Sequence, residues 1–341
     1  MQIKELEAET VADWNRFLER SPQATFFHLA QWKDIIQLAF GHRCYFLYAL
    51  EQEEITGILP LVHVKSRLFG NALVSTPFCV QGGVVSRNQK SHEALQHWSI
   101  NLAKNLKVDY LELRYANATN PGWPVKNDLY VNFRKTLLTT VDENLNAIPR
   151  KQRAMVRKGM QAGLTSCEET DVARFYHMYS LSVRNLGTPV FSQRYFEILM
   201  DKFSNQCRML SIQKDGKVIS AVLSFYFRDE VLPYYGGGSD SAREWKANDF
   251  MYWELMRRSC EQGLKVFDYG RSKVGTGSYN FKKNWGFEPH ALHYEYQLIS
   301  ANAIPNINPL NPKYRLFINL WKKMPLYLTQ LIGPHIVKNL G

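Results

Sequence analysis

Twice along its 341 residues the chain changes hydrophobic period in the same order, and that order restricts the folds open to it. In the first pass, residues 11–20 and 28–39 have helical spacing. "CYFLYAL", "EQEE" and "ITGILPLVHVK" then read as strand, turn and strand. "STPFCVQGGVV" is extended and ends at Gly82-Gly83, 90–106 is a helix, and "VDYLELR" and "FRKTLLTTV" are strands either side of the loop "ATNPGWP". In the second pass, the basic helix "PRKQRAMVRKGMQAG" stops at Gly163, and 171–186 and 192–204 are helices. "CRMLSIQ" and "KVISAVLSFYFRD" form a hairpin turning at Asp215-Gly216. "EVLPYYGGG" is a strand, Asn248 or Asp249 caps a helix that stops at Gly263, and "KVFDYG" is a strand. "GTGSYNFKKNWGFEP" is a short helix and "HALHYEYQLI" the last strand. Recurrence of the order without an obvious repeat in the residues predicts an α+β chain of two units built alike, 1–145 and 146–300.

Residues 301–341 break the pattern. A linker, "ANAIPNINPLNP", leads to a tail of aromatics, leucines and lysines that Pro325 and Pro334 divide into short helices. Either the tail packs on the first domain, or residues 313–341 lie on an anionic bilayer. No uninterrupted apolar run is long enough for a transmembrane helix, and the polar start "MQIKELEAET" does not read as a signal peptide. Five scattered cysteines have no metal-ligand spacing, so reduced thiols in a cytoplasmic protein are expected, with Cys79 either core or a site thiol. A composition 45% hydrophobic and 13% aromatic supports real cores. The net charge of +11 favours an anionic partner: nucleic acid, a phosphorylated substrate or a membrane surface.

Gly275 and Gly277 do not make a nucleotide loop, because no G-x-x-x-x-G-K-[ST] spacing follows them. The order hairpin, strand, helix, strand, helix, strand resembles the N-acyltransferase fold of the GNAT type. Such domains hold acetyl-CoA through a glycine-rich loop, roughly [QR]-x-x-G-x-[GA], at the fourth strand and its helix. Here that junction reads "YYGGGSDSAREWKANDFMYW": Gly236 to Gly238 are present, the basic residue and the spacing are not, and this argues against CoA.

Longer stretches carry a closer resemblance, covering essentially the whole chain. "SPQATFFHLAQW", "VKSRLFGNALVSTPFCVQGGVV", "RKQRAMVRKGMQAGL", "YYGGG", the block "ANDFMYW" through "NWGFEP" and the tail "MPLYLTQLIGPHIVKNLG" are similar to FemAB-type aminoacyltransferases. These are a tandem-GNAT family, and the similarity is greatest to FemAB-related proteins of exosortase/PEP-CTERM exopolysaccharide systems. The resemblance implies two tandem GNAT-like (acyl-CoA N-acyltransferase) domains with a helical tail. It also implies amide-bond formation on a peptidoglycan or exopolysaccharide-related precursor, at the inner face of the membrane. The family's donor is aminoacyl-tRNA. A donor here is either that or acyl-CoA or an acyl carrier, with no tightly bound cofactor and no metal. The expected acceptor is an anionic envelope precursor, either a phosphorylated or a lipid-linked sugar or peptide, and a non-catalytic precursor-binding protein is the remaining alternative.

The same resemblance suggests the site. Phe281-Lys282 falls on the family's Phe-Lys pair at the donor, so Lys282 is expected to stabilise an oxyanion or the donor terminus, with Lys283 its rival in register. Phe281 would stack on a base or ribose. Tyr234 and Tyr235 end a strand near the acceptor, and alternation lets at most one face it. Asp268 either orients an amine or pairs with Arg271, and Asp249 is a cap rather than a base. Arg184 and Lys33 match residues near acceptor phosphate. Gln81-Gly82-Gly83 either lets the backbone approach the acceptor or is only a turn. Arg150, Arg153 and Arg157 share a helix face suited to a tRNA backbone or a pyrophosphate, or simply to water.

Overall fold

The structure is a computed structural model that describes residues 1–66, 69–304 and 312–340. The chain divides into two compact units. The first comprises Met1–Leu129, Ala291–Ile307 and Lys338–Gly341, and the second Tyr130–His290 and Asn308–Val337.

The first unit contains β1 (Gln2–Glu5), α1 (Val11–Glu19), α2 (Gln31–Phe40), β2 (Arg43–Glu51), β3 (Glu54–Ser66), β4 (Gly70–Ser75), β5 (Val85–Ser86), α3 (Gln89–Asn105), β6 (Tyr110–Tyr115) and β7 (Val125–Lys126). The second contains β8 (Tyr130–Thr136), α4 (Val141–Ala147), α5 (Arg150–Gln161), β9 (Thr165–Glu169), α6 (Val172–Leu186), α7 (Gln193–Lys202), β10 (Cys207–Lys214), β11 (Lys217–Phe227), β12 (Glu230–Gly238), α8 (Asp240–Glu244), α9 (Ala247–Glu261), β13 (Val266–Lys273) and α10 (Gly277–Asn284). β14 (Pro289–Ala291), β15 (His293–Leu298), α11 (Pro312–Lys323) and α12 (Leu326–Val337) complete the chain.

Among the described residues the strands form two sheets. The first runs β1-β2-β3-β4-β6-β15-β7, with β5 beside β3, and the second β14-β8-β13-β12-β11-β10-β9. Both expected hairpins are present: β2 with β3 and β10 with β11. Leu47, Leu59, Leu61, Leu73, Leu95, Leu111 and Leu113 are the centre of the first unit's core, and Phe133, Val156, Trp253, Phe267 and Trp285 that of the second. The two end strands are exchanged relative to chain order. β8, expected to close the first unit, pairs with β13, and β15, expected to close the second, pairs with β6.

Other expectations change locally. α9 begins at Ala247 behind Lys246, which is left-handed at φ 57, so neither Asn248 nor Asp249 is its cap. Asp249 lies in the first turn instead, accepting from Gln152 and, at 3.3 Å, from Trp285 Nε1. The stretch expected to be extended before Gly82-Gly83 is irregular, because Gly82 and Gly83 donate their N–H groups to the Arg114 carbonyl at 3.1 and 2.9 Å. Cys79 is fully buried, as a core thiol is. The tail does form helices, divided at Pro325 but not at Pro334, which lies inside α12; α11 and α12 lie on α6 within the second unit, and Lys338–Gly341 belong to the first. Most of its linker, 305–311, falls outside the described residues.

Candidate active site

The local geometry begins with β12. It pairs in parallel with β13 only at Glu230 and Val231, opposite Val266 and Phe267. Farther along, Pro233 has no N–H to give, and the ladder to β11 slips so that Leu223 faces Tyr235 while Ser224 faces Pro233. Tyr234 is the extra residue of that bulge, which bends the strand, and β12 and β13 part. β13 carries its own irregularity between Asp268 and Gly270. Gly270 takes φ 74, a conformation that side chains with a Cβ rarely adopt.

Lys282 of α10 lies against β13 and β8. Thr276 caps the helix, its hydroxyl accepting from the Tyr279 N–H at 3.4 Å. Lys282 Nζ donates to the carbonyls of Gly270 at 3.0 Å and Arg271 at 3.1 Å. It lies 5.7 Å from the Phe133 ring centroid and 5.6 Å from that of Tyr269. Enclosure of the ammonium lowers its pKa to about 7, with the Asp268 carboxylate opposing the shift and Arg271 adding to it. Asp268 accepts from Asn132 Nδ2 at 3.1 and 3.2 Å and from the Gly270 N–H at 2.9 Å. Burial raises the Asp268 pKa against those bonds.

Lys282, Asp268 and Arg271 are therefore brought together, and Lys283 is separated from them. Lys283 is exposed and lies 5.6 Å from the Tyr279 ring. Asp268 is held by Asn132, and the Arg271 guanidinium sits 4.6 Å from the Tyr130 ring centroid. Phe281 is half-buried and packs among Tyr252, Tyr269 and Trp285. Tyr235 is walled by Tyr179, Phe191, Tyr195 and Phe196, with its hydroxyl 3.0 Å from that of Tyr195. Burial drives the Tyr235 phenol pKa well up. Tyr234 rests against Phe225 and Tyr235.

The remaining candidates lie elsewhere. Arg184 ends α6 and donates to Asn185 Oδ1 at 3.0 and 3.3 Å. Arg150 and Arg157 are exposed on α5, whereas Arg153 ties that helix to α4 through the Asn146 carbonyl at 2.8 Å. In the first unit, Lys33 donates to the Leu6 carbonyl. Gln81 lines a cavity of about 310 Å³ together with Gln23, His28, Arg114, Tyr115 and Thr119.

Sequence reasoning missed Asn132, Phe133 and Tyr269, which hold Asp268 and wall Lys282. Asn132 is 136 residues from Asp268, and no local pattern links them. Among the described residues three buried polar atoms of β8 and β13 have no hydrogen-bond partner: Asn132 Oδ1, Tyr269 Oη and Ser272 Oγ. At the far end of β12 a cavity of about 80 Å³ is lined by Asn185, Gly238, Ser239, Asp240, Arg243 and Asn248, among others. α8 borders it, and its charged lining residues are Asp240 and Arg243. No group of side chains among the described residues is arranged to hold a metal ion.

The sequence pattern of the acetyltransferase (GNAT) domain family matches residues 146–283. No curated protein matches the chain. Among solved structures, FemX superimposes with a TM-score of 0.69 at 14% identity, covering 93% of this chain and 100% of its own. The C-terminal domain (DUF2156) assigned to a lysylphosphatidylglycerol synthetase from Agrobacterium fabrum gives 0.54 at 13% identity, covering 84% of this chain and 91% of that one. A tandem GNAT protein from the clavulanic acid biosynthesis pathway gives 0.53 at 13% identity, covering 89% and 99%. The fold is that of tandem GNAT proteins, with a GNAT acetyltransferase domain at residues 146–283 and a helical tail.

Proposed function

We propose that the protein joins an acyl or aminoacyl group to an amine of an anionic cell-envelope precursor, with Lys282 at the reacting carbonyl. The observation that carries this reading is the setting of Lys282. An ammonium has three N–H donors, and the Gly270 and Arg271 carbonyls take two. The third is left for a substrate oxygen, in an enclosed place where a hydrogen bond to developing negative charge is strong. The acceptor nitrogen attacks the acyl carbon, forming the C–N bond. The C–O or C–S bond to the carrier then breaks, and the carrier leaves with the proton that the amine gives up.

An ester donor such as aminoacyl-tRNA is preferred to CoA because the stretch "YYGGGSDSAREWKANDFMYW" lacks the spacing of the CoA loop. The exposed cations Arg150 and Arg157, and the net charge of +11, suit a phosphorylated donor or acceptor. Fold likeness to FemX and to the lysylphosphatidylglycerol synthetase domain supports the envelope assignment. A CoA donor is the second reading, favoured by the acetyltransferase-domain match.

A thermal-shift panel separates them. It compares acetyl-CoA, a UDP-linked muropeptide, and charged against uncharged tRNA, since a ligand that binds the folded state raises the melting temperature. Stabilisation by the muropeptide and by charged tRNA is expected, and stabilisation by acetyl-CoA alone overturns the ester reading. Intact-mass analysis of acceptors incubated with pooled donors then identifies the group transferred.

A further inference from the structure

The tail presents its apolar residues to solvent. α12 buries Thr329, Gly333 and Val337, with Gly333 against Val190, while Tyr327, Leu331 and Ile332 are exposed. α11 buries Trp321 and lays Ile318 and Lys322 against Gly187, while Leu316, Phe317 and Leu320 are exposed. Leu316, Leu320, Tyr327 and Leu331 each keep more than half of their surface in water. Leu186, beside Gly187 at the end of α6, is 68% exposed and adds to the apolar surface. An apolar area of this kind on a folded chain marks a surface that something covers.

Charge says what covers it. No Asp or Glu follows Glu295, whereas Lys313, Arg315, Lys322, Lys323 and Lys338 do. The Lys322 and Lys323 side chains are exposed beside the apolar residues. A second copy of the same face would bring like charges together, and an anionic lipid surface would neutralise them. Each helix has 12 residues, or about 18 Å, against a hydrocarbon core of about 30 Å. No helix among the described residues is long and apolar enough to cross a membrane.

We propose that α11 and α12 dock the protein in the plane of an anionic bilayer, with Leu316, Phe317, Leu320, Tyr327, Leu331 and Ile332 in the acyl-chain boundary and Lys322 and Lys323 among the headgroups. The inference is independent of the acyl-transfer reading, because its readout is lipid binding.

The test is flotation of the full chain with vesicles of phosphatidylcholine alone or mixed with phosphatidylglycerol. Flotation is expected with the mixed vesicles only, and high salt should weaken it. The double variant Leu320→Glu/Leu331→Glu should reduce bound protein at least about tenfold. Lys322→Glu/Lys323→Glu should do the same while the apolar face stays intact. All four side chains are exposed, so an unchanged melting temperature verifies that the variants fold. Absence of flotation with anionic vesicles, or equal flotation of the variants, overturns the proposal. So does sedimentation showing a dimer that the leucine variants dissociate, which would assign the face to self-association.

Discussion

At the scale of single residues, Lys282 carries opposing demands of stability and chemistry. Its folded pKa of about 7 lies below the 10.5 of an unhindered lysine. Between those values the unfolded chain holds a proton that the folded chain has lost, so stability rises with pH across that window. The cost of enclosing the charge is full below about pH 7. Lys282→Met should therefore raise the unfolding free energy at pH 6 by about 1–2 kcal/mol, a gain limited by two carbonyls left without their donor. The same change should lower transfer about 100-fold or more, while Lys283→Met leaves it near wild type. Urea unfolding and initial rates measure the two effects. If the ammonium is the working form, the rate falls as pH passes about 7, and Lys282→Arg removes that fall while keeping part of the activity. Asp268→Asn removes a charge that raises the Lys282 pKa, so the fall should move to lower pH. A purely structural Asp268 would change the rate without moving the profile.

At the scale of elements, Gly237, after the tyrosine pair, fits β12 to α6. A Cβ on Gly237 would run into the Met178 carbonyl and stand 2.7 Å from Ser182 Cβ. Gly237→Ala should cost about 1–3 kcal/mol in urea unfolding with an unchanged m-value, as overpacking against backbone does. The helices other than α4 and α8, and both hairpins, were legible in the residues because period, turn chemistry and stop signals agreed there, as at Asp215-Gly216 and Gly163. The cap of α9 was not legible, since Lys246 in a left-handed conformation is no recognised start signal. Lys282 was legible only through family resemblance. Its selection over Lys283 depends on the bulge that turns the Gly270 and Arg271 carbonyls toward α10, a property of β13 that one-dimensional spacing does not contain.

At the scale of the whole molecule, the charge balance of +11 predicts that an anionic acceptor or a tRNA binds less tightly as salt rises. Titrations at low and moderate salt should show a linear fall in log affinity against log salt, and a flat plot would remove phosphate contact from the reading. The two exchanged strands have a consequence for how the protein is made. β15 reaches the first sheet only after residue 298 is synthesised, by which time Tyr130–His290 of the second unit has been translated. The first half therefore waits on the ribosome with the β6 edge uncovered, and an unpaired edge is open to pairing with other chains. A nascent chain stalled before β15 should thus be the aggregation-prone species, and the order of translation, more than the final stability, should set how much of this protein a cell recovers.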